Sequence, residues 1–82
     1  MLQCKMPRGL YNWTAEEVVR FLKACDFSLG HTHGSHYYYV GNYGGQFRQV
    51  CVPFHGSRIL KPRTLKSIIL QSGISKDQWL GR

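Results

Sequence analysis

One histidine of this chain stands where an acid–base catalyst could work. Gly34-Ser35-His36 precedes the aromatic run Tyr37–Tyr39, so His36 lies at the start of a predicted strand, directly after a predicted turn. An imidazole titrates at about pH 6.5 and can therefore take or give a proton at neutral pH. Such a group could take a proton from a ribose 2′-hydroxyl of RNA or give one to the leaving 5′-oxygen. That reaction needs no metal, because the 2′-hydroxyl is already tethered next to the phosphorus. The alternative is a histidine that only caps the edge of a strand.

The charge of the chain indicates a polyanionic partner. Its 82 residues include eleven Lys and Arg against four Asp and Glu, which gives a net charge of +7. Nucleic acid or an acidic protein would suit such a surface, although charge can also serve solubility alone. A group of basic residues lies near the start of a predicted helix, where the helix dipole favours an anion. These residues are Arg58, Lys61, Arg63 and Lys66. We expect them to contact RNA phosphates, and a solvated basic face is the alternative.

The pattern of the chain predicts one α+β domain of order α-β-β-β-α, with a short extra C-terminal helix. Thr14-Ala15-Glu16-Glu17 reads as a capping box, and Gly73 suits the end of the second long helix. Because neither layer buries its apolar side alone, we expect two helices on one face of a three-stranded antiparallel sheet. We predict an N-terminal tail over 1–12 and a single domain over 13–82. The predicted helices lie over 15–25, from Lys61-Pro62 to Gly73, and, as a short helix, from Ser75 through Leu80. The predicted strands lie over 27–31, 36–43 and 46–52, with a turn over 32–35 and a hairpin loop over 41–45.

Cysteine usage and hydropathy favour a cytoplasmic protein. Cys4, Cys25 and Cys51 are odd in number and have no metal-type or redox-type spacing, which favours free thiols in a reducing compartment. Cys25 and Cys51 sit among apolar residues and are expected to be small core side chains. No apolar run approaches the roughly 18 residues of a membrane span, so we expect no membrane partner.

The ordered motifs resemble the HicA family of toxin mRNA endonucleases. They are the Gly34–His36 step, then Val52-Pro53-Phe54-His55-Gly56, then Leu60 to Ile68. The resemblance implies a fold like that of the double-stranded-RNA-binding domain and a catalytic role for His36. It also implies a metal-independent mRNA endonuclease without a cofactor, the toxin of a type II toxin–antitoxin system. Its partners would be mRNA and a HicB-type antitoxin, and we expect a monomer when it is free.

The sequence leaves the second catalytic group and two other readings of the chain open. The candidates for the second group are His55, Lys61, Lys66 and the Ser35 hydroxyl, and Ser35 is also expected to contact RNA. The chain could instead be a non-catalytic RNA-binding module of the same fold. His31 and His33 could also join His36 as three imidazole ligands of zinc.

The tyrosine run cannot be exposed as a whole. Successive side chains of a strand alternate between the two faces. Tyr38 should therefore share the face of His36, while Tyr37 and Tyr39 point the other way. One of these two sets must belong to the core, and the exposed set could stack on unpaired bases.

Overall fold

The computed structural model describes residues 13–55 and 58–80. Its three strands form one antiparallel sheet in the order β1-β2-β3. This confirms the predicted α+β fold, and the predicted tail over residues 1–12 lies outside the described residues. The elements are α1 (Ala15–Ala24), β1 (Ser28–His33), β2 (His36–Tyr43), β3 (Gln46–Pro53), α2 (Pro62–Ser72) and α3 (Lys76–Trp79).

The predicted capping box begins α1. The Glu17 amide donates to Thr14 Oγ1 at 3.2 Å, and the Thr14 amide donates to Glu17 Oε1 at 3.0 Å. The helix ends without a glycine, because Asp26 itself adopts a left-handed conformation with φ of +69°. The Phe27 amide then donates to the Leu22 carbonyl at 2.9 Å, which satisfies one of the last carbonyls of the helix.

Two tight turns connect the strands. Gly34 has a φ of +62°, and Ser35 does not share this positive φ, which is the pattern of a type II′ turn. Gly44 and Gly45 both have positive φ, at +64° and +79°, as a type I′ turn requires. The hairpin loop is thus only two residues long. The strand predicted over 36–43 is confirmed, and the loop predicted over 41–45 is reduced to Gly44 and Gly45.

The first strand differs from its prediction. It runs from Ser28 to His33 instead of from Phe27 to His31, so the turn does not begin at Thr32. All six of its residues are exposed, whereas the sequence indicated a half-buried strand. Phe27 is buried just before the strand begins. β1 is an edge strand, and the main contacts of α1 and α2 with the sheet are made to β3 at the other edge.

The core lies between one face of the sheet and the helices. Tyr39, Val50 and Val52 supply the inner face, which faces the apolar stripes of α1 and α2. The helical period puts four residues of α2 on one face, and all four are buried: Leu65, Ile68, Ile69 and Ser72. The opposite, outer face of the sheet carries exposed side chains such as His36, Phe47 and Gln49.

A buried cluster fastens α3 to the core. The ring of Trp79 stacks on Phe21 with centroids 4.0 Å apart and meets Trp13 edge-on at 5.5 Å. Ser72 Oγ donates to the Ile69 carbonyl at 2.7 Å. The same oxygen accepts the Ile74 amide at 3.1 Å and Trp79 Nε1 at 3.4 Å. One hydroxyl therefore satisfies two donors in the interior.

The cysteines depart in part from their prediction. Cys51 is free and half-buried, whereas Cys25 is buried and disulfide-bonded. The expectation of free thiols is therefore wrong for Cys25, because spacing along the chain does not reveal which side chains the fold brings together.

Candidate functional site

His36 lies at the open end of the sheet on its outer face. It is the first residue of β2 and is paired with His33 on β1 and with Pro53 on β3. The Ser35 carbonyl accepts the Phe54 amide at 2.7 Å, which extends the β2–β3 pairing into the turn. The His36 side chain is exposed and therefore within reach of a large ligand.

The turn and a bulge in β1 together set the register beside His36. The turn pairs His33 with His36 and His31 with Tyr38, which places both histidines of β1 on the outer face. The register of β1 against β2 shifts between Leu29 and His31, so Gly30 is the extra residue. A Cβ at position 30 would lie 3.3 Å from both the Tyr38 carbonyl oxygen and Val40 Cγ1, which leaves little room for a larger residue. Because a shift by one residue reverses the faces of a strand, the bulge places Leu29 on the face of Tyr39 instead of on the face of His31.

His31 and Tyr38 form a stacked pair on this outer face. Their ring centroids are 4.4 Å apart and their planes differ by 7°. The predicted sharing of one face by Tyr38 and His36 is confirmed, while Tyr39 is buried in the core. Sequence reasoning missed the stack. The signal that could have revealed it is the two-residue turn Gly34-Ser35, which pairs His31 with Tyr38.

Cys51 is the neighbour of Tyr38 on the side of β3. A hydrogen bond between the two side chains raises the pKa of the Tyr38 hydroxyl, and the Cys51 charge acts in the same direction. Cys51 is the residue opposite Tyr38 on β3. Side chains from three neighbouring strands therefore stand in one row across the sheet: His31, Tyr38 and Cys51.

A cavity beyond the end of β3 collects the first basic residues. It has a volume of about 260 Å³, and Arg58, Lys61 and His55 contribute to its lining. Pro53, the strand partner of His36, lines it as well. The remaining lining residues are Ile59, Leu60 and Thr64.

Two backbone contacts hold the segment that forms this cavity. The Leu60 amide donates to the Trp13 carbonyl at 2.7 Å. Ile59 forms an isolated antiparallel bridge with Thr14. The segment is thereby fastened to the start of α1, and its basic side chains are brought to the same end of the molecule as His36.

The other predicted phosphate contacts lie farther along α2. Arg63 and Lys66 are exposed on this helix. Lys66 lines a separate, larger cavity of about 500 Å³ together with apolar residues such as Leu70 and Ile74. The fold therefore joins Arg58 and Lys61 in one cavity and leaves Lys66 in another.

Acidic residues are absent from the part of the chain that carries the site. The whole sequence has four, and none lies between positions 27 and 76. The sheet and α2 therefore carry no carboxylate of their own, which leaves a cationic surface that favours anions. The acidic residues are Glu16, Glu17, Asp26 and Asp77.

The structure does not support the zinc alternative. Within residues 13–55 and 58–80, no three or more His, Cys, Asp or Glu side chains are grouped closely enough to hold a metal ion. His31 instead stacks on Tyr38.

Among the described helices, none has the length and apolar character that crossing a bilayer requires.

Comparison with known families identifies the chain. A family model described as the HicA toxin of bacterial toxin–antitoxin systems matches residues 15–74. The chain belongs to the HicA toxin family. The matched region starts at the first residue of α1 and extends past the end of α2, so it includes the whole sheet, His36 and both cavities. Membership of the HicA family implies that this toxin is paired with an antitoxin. No curated protein and no solved structure matches the chain.

Proposed function

We propose that this chain is a metal-independent endoribonuclease that cleaves mRNA and acts as the toxin of a type II toxin–antitoxin system. The observation that carries the proposal is an exposed imidazole, His36, at the end of the sheet in a member of the HicA family. Its strand partner Pro53 lines a cavity that also contains Arg58 and Lys61. A proton-transfer group beside cations is what RNA backbone cleavage requires.

The proposed reaction transfers the phosphoryl group within the RNA. His36 accepts the proton of the ribose 2′-hydroxyl, and the 2′-oxygen attacks the adjacent phosphorus. The new bond from the 2′-oxygen to phosphorus forms as the bond from phosphorus to the 5′-oxygen breaks, and the leaving oxygen takes up a proton. The products are a 2′,3′-cyclic phosphate and a free 5′-hydroxyl. The nucleophile is part of the substrate, so the protein needs only to orient it and to move protons.

The basic residues have the complementary role of binding the RNA backbone. Arg58 and Lys61 would hold phosphates close to His36, whereas Arg63 and Lys66 on α2 would contact phosphates farther along the strand. Ser35, in the turn before His36, would donate its hydroxyl to the reacting phosphate. Contacts of this kind give affinity without sequence preference. His55, which lines the same cavity as Lys61, is our first candidate for the group that protonates the leaving oxygen.

The same surface would bind the antitoxin. A HicB-type antitoxin that presents carboxylates to Arg58 and Lys61 would cover His36 and exclude RNA, because carboxylate and phosphate oxygens suit the same cations. Toxin and antitoxin would meet in the cytoplasm, where mRNA is translated. Antitoxin binding should therefore weaken with added salt and compete with RNA.

The test is RNA cleavage by the purified protein in the presence of a metal chelator. Wild type should yield fragments with 2′,3′-cyclic phosphate ends, and His36→Ala should abolish cleavage while RNA affinity and thermal stability change little. Gln49→Ala, an exposed outer-face residue of β3, is the control and should cleave as wild type does. Cleavage by His36→Ala at the wild-type rate would refute the assignment. Binding without cleavage by wild type would favour the RNA-binding module instead.

A further inference from the structure

We propose that the stacked rings of His31 and Tyr38 form a subsite for one nucleobase of the bound RNA. The two rings are nearly parallel, with centroids 4.4 Å apart. Cys51 stands opposite Tyr38 on β3, on the side away from β1. The two rings already stack on each other before any ligand arrives, so a base that stacks on them loses less freedom than one that must order a mobile ring.

The free side of the pair faces the open edge of the sheet. Tyr38 covers one face of the His31 imidazole. β1 is an edge strand, and each of its six residues is exposed. The second face of the His31 ring is therefore available to a planar ligand, which would continue the row of rings as base, imidazole and phenol.

Charge favours a base that is attached to a phosphate. No Asp or Glu occurs between positions 27 and 76, the part of the chain that forms the whole sheet and α2. A planar ligand that carries anionic groups would meet no repulsion there, whereas a cationic one would. Every nucleobase has a π face, so stacking tolerates any base in this position.

The register places this subsite at a useful distance from His36. Tyr38 follows His36 by two residues on the same face of β2, and His33 stands opposite His36 on β1. Two residues of a strand span roughly 7 Å, which is comparable to the reach from a base to a neighbouring phosphodiester group. His31 and Tyr38 would therefore act as positioning residues, since they hold the base while the phosphodiester lies against His36.

This inference rests on the proposed RNA substrate, so its test separates binding from cleavage. We would use the His36→Ala background, which leaves the RNA intact, and measure the Kd of two fluorescein-labelled eight-nucleotide probes. One is oligoadenylate, and the other has the same backbone with abasic riboses. His31→Ala should weaken binding of oligoadenylate by about tenfold and leave binding of the abasic probe unchanged. His31→Trp, which supplies a larger ring, should restore the preference for bases.

Phe47→Ala is the matched control. Phe47 is another exposed aromatic residue of the outer face, 66% exposed, but it lies at the far end of the sheet opposite Asn42. Its replacement should leave the Kd of both probes unchanged. An equal loss for the two probes in His31→Ala would overturn the proposal, because the imidazole would then act through its charge. No preference for oligoadenylate in the parent protein would overturn it too.

The two proposals fail in different ways. If wild type cleaves RNA through His36 but His31→Ala keeps the full preference for bases, the subsite is wrong and the nuclease assignment stands. If His31 carries the preference for bases but wild type does not cleave RNA, the nuclease assignment is wrong and the subsite stands. Because His31 is exposed, its replacement should leave the thermal unfolding midpoint unchanged, which serves as the check on folding.

Discussion

The Ser72→Ala substitution removes one hydroxyl from the interior and leaves two donors without their partner. Ser72 is fully buried, at 0% exposure. Its Oγ accepts the amide of Ile74 at 3.1 Å and the indole nitrogen of Trp79 at 3.4 Å. Trp79 is itself 0% exposed, so water cannot replace the lost acceptor.

The expected loss of stability follows from those two donors. A buried donor without a partner costs roughly 1–3 kcal/mol. Alanine recovers about 0.5 kcal/mol through its better helix propensity. For two donors the net loss should be about 1.5–5.5 kcal/mol, which corresponds to a fall of at least roughly 6 °C in Tm for a domain of this size.

The measurement is urea denaturation followed by tryptophan fluorescence, together with a thermal melt. Ser67→Ala is the matched control, because Ser67 is an exposed serine of the same helix and should be neutral or slightly stabilising. A double-mutant cycle with Trp79→Phe isolates the indole contact, and Ser72→Ala should cost less once the indole N–H is gone. If Ser72→Ala and Ser67→Ala unfold at the same urea concentration, the hydroxyl does not hold this end of the fold together and the reasoning is refuted.

Two further predictions concern pH and salt. Burial, and to a lesser extent Tyr37, raises the pKa of Tyr39 above 10.0. The folded state therefore keeps a proton that the unfolded state loses. The contribution of Tyr39 to the free energy of unfolding is complete below about pH 10 and is lost as the pH rises through the folded pKa. Tyr39→Phe should flatten that alkaline decline in urea denaturation, and an unchanged decline would contradict the assignment. Lys61→Gln should weaken RNA binding for all sequences and lower the slope of log K against log salt by about 0.7 for a single strand. The control is Arg20→Gln, on the exposed side of α1, which should leave that slope unchanged. If the two variants give equal slopes, Lys61 does not contact the RNA.

Local patterns were sufficient for most of the fold. The reciprocal bonds of Thr14 and Glu17 involve residues only three apart, so the sequence motif specifies them directly. The buried face of α2 follows from the helical period alone. The Gly44-Gly45 pair supplies the two positive φ angles of its turn. Each of these features depends on residues close together in the chain.

Contacts between distant residues decided the details of the site. The alternating pattern predicted that the first strand stops at His31, yet β1 continues through His33. The bulge at Gly30 exists only relative to β2, and the pairing of β1 with β2 places His31 beside Tyr38. Likewise, the segment that carries Arg58 and Lys61 is held beside the start of α1 by the bond from the Leu60 amide to the Trp13 carbonyl, which is a long-range contact.

The sequence by itself determined the order of the elements, the core face of α2 and the position of His36 at the start of a strand. Only the tertiary structure decided which side chains stand beside that imidazole, because strand register and loop closure arise from pairings between segments remote in the chain. The disulfide of Cys25 and the separation of Lys66 from Lys61 into two cavities were likewise decided only by the tertiary structure. A periodicity of two or 3.6 residues specifies a face, but it does not specify what that face meets.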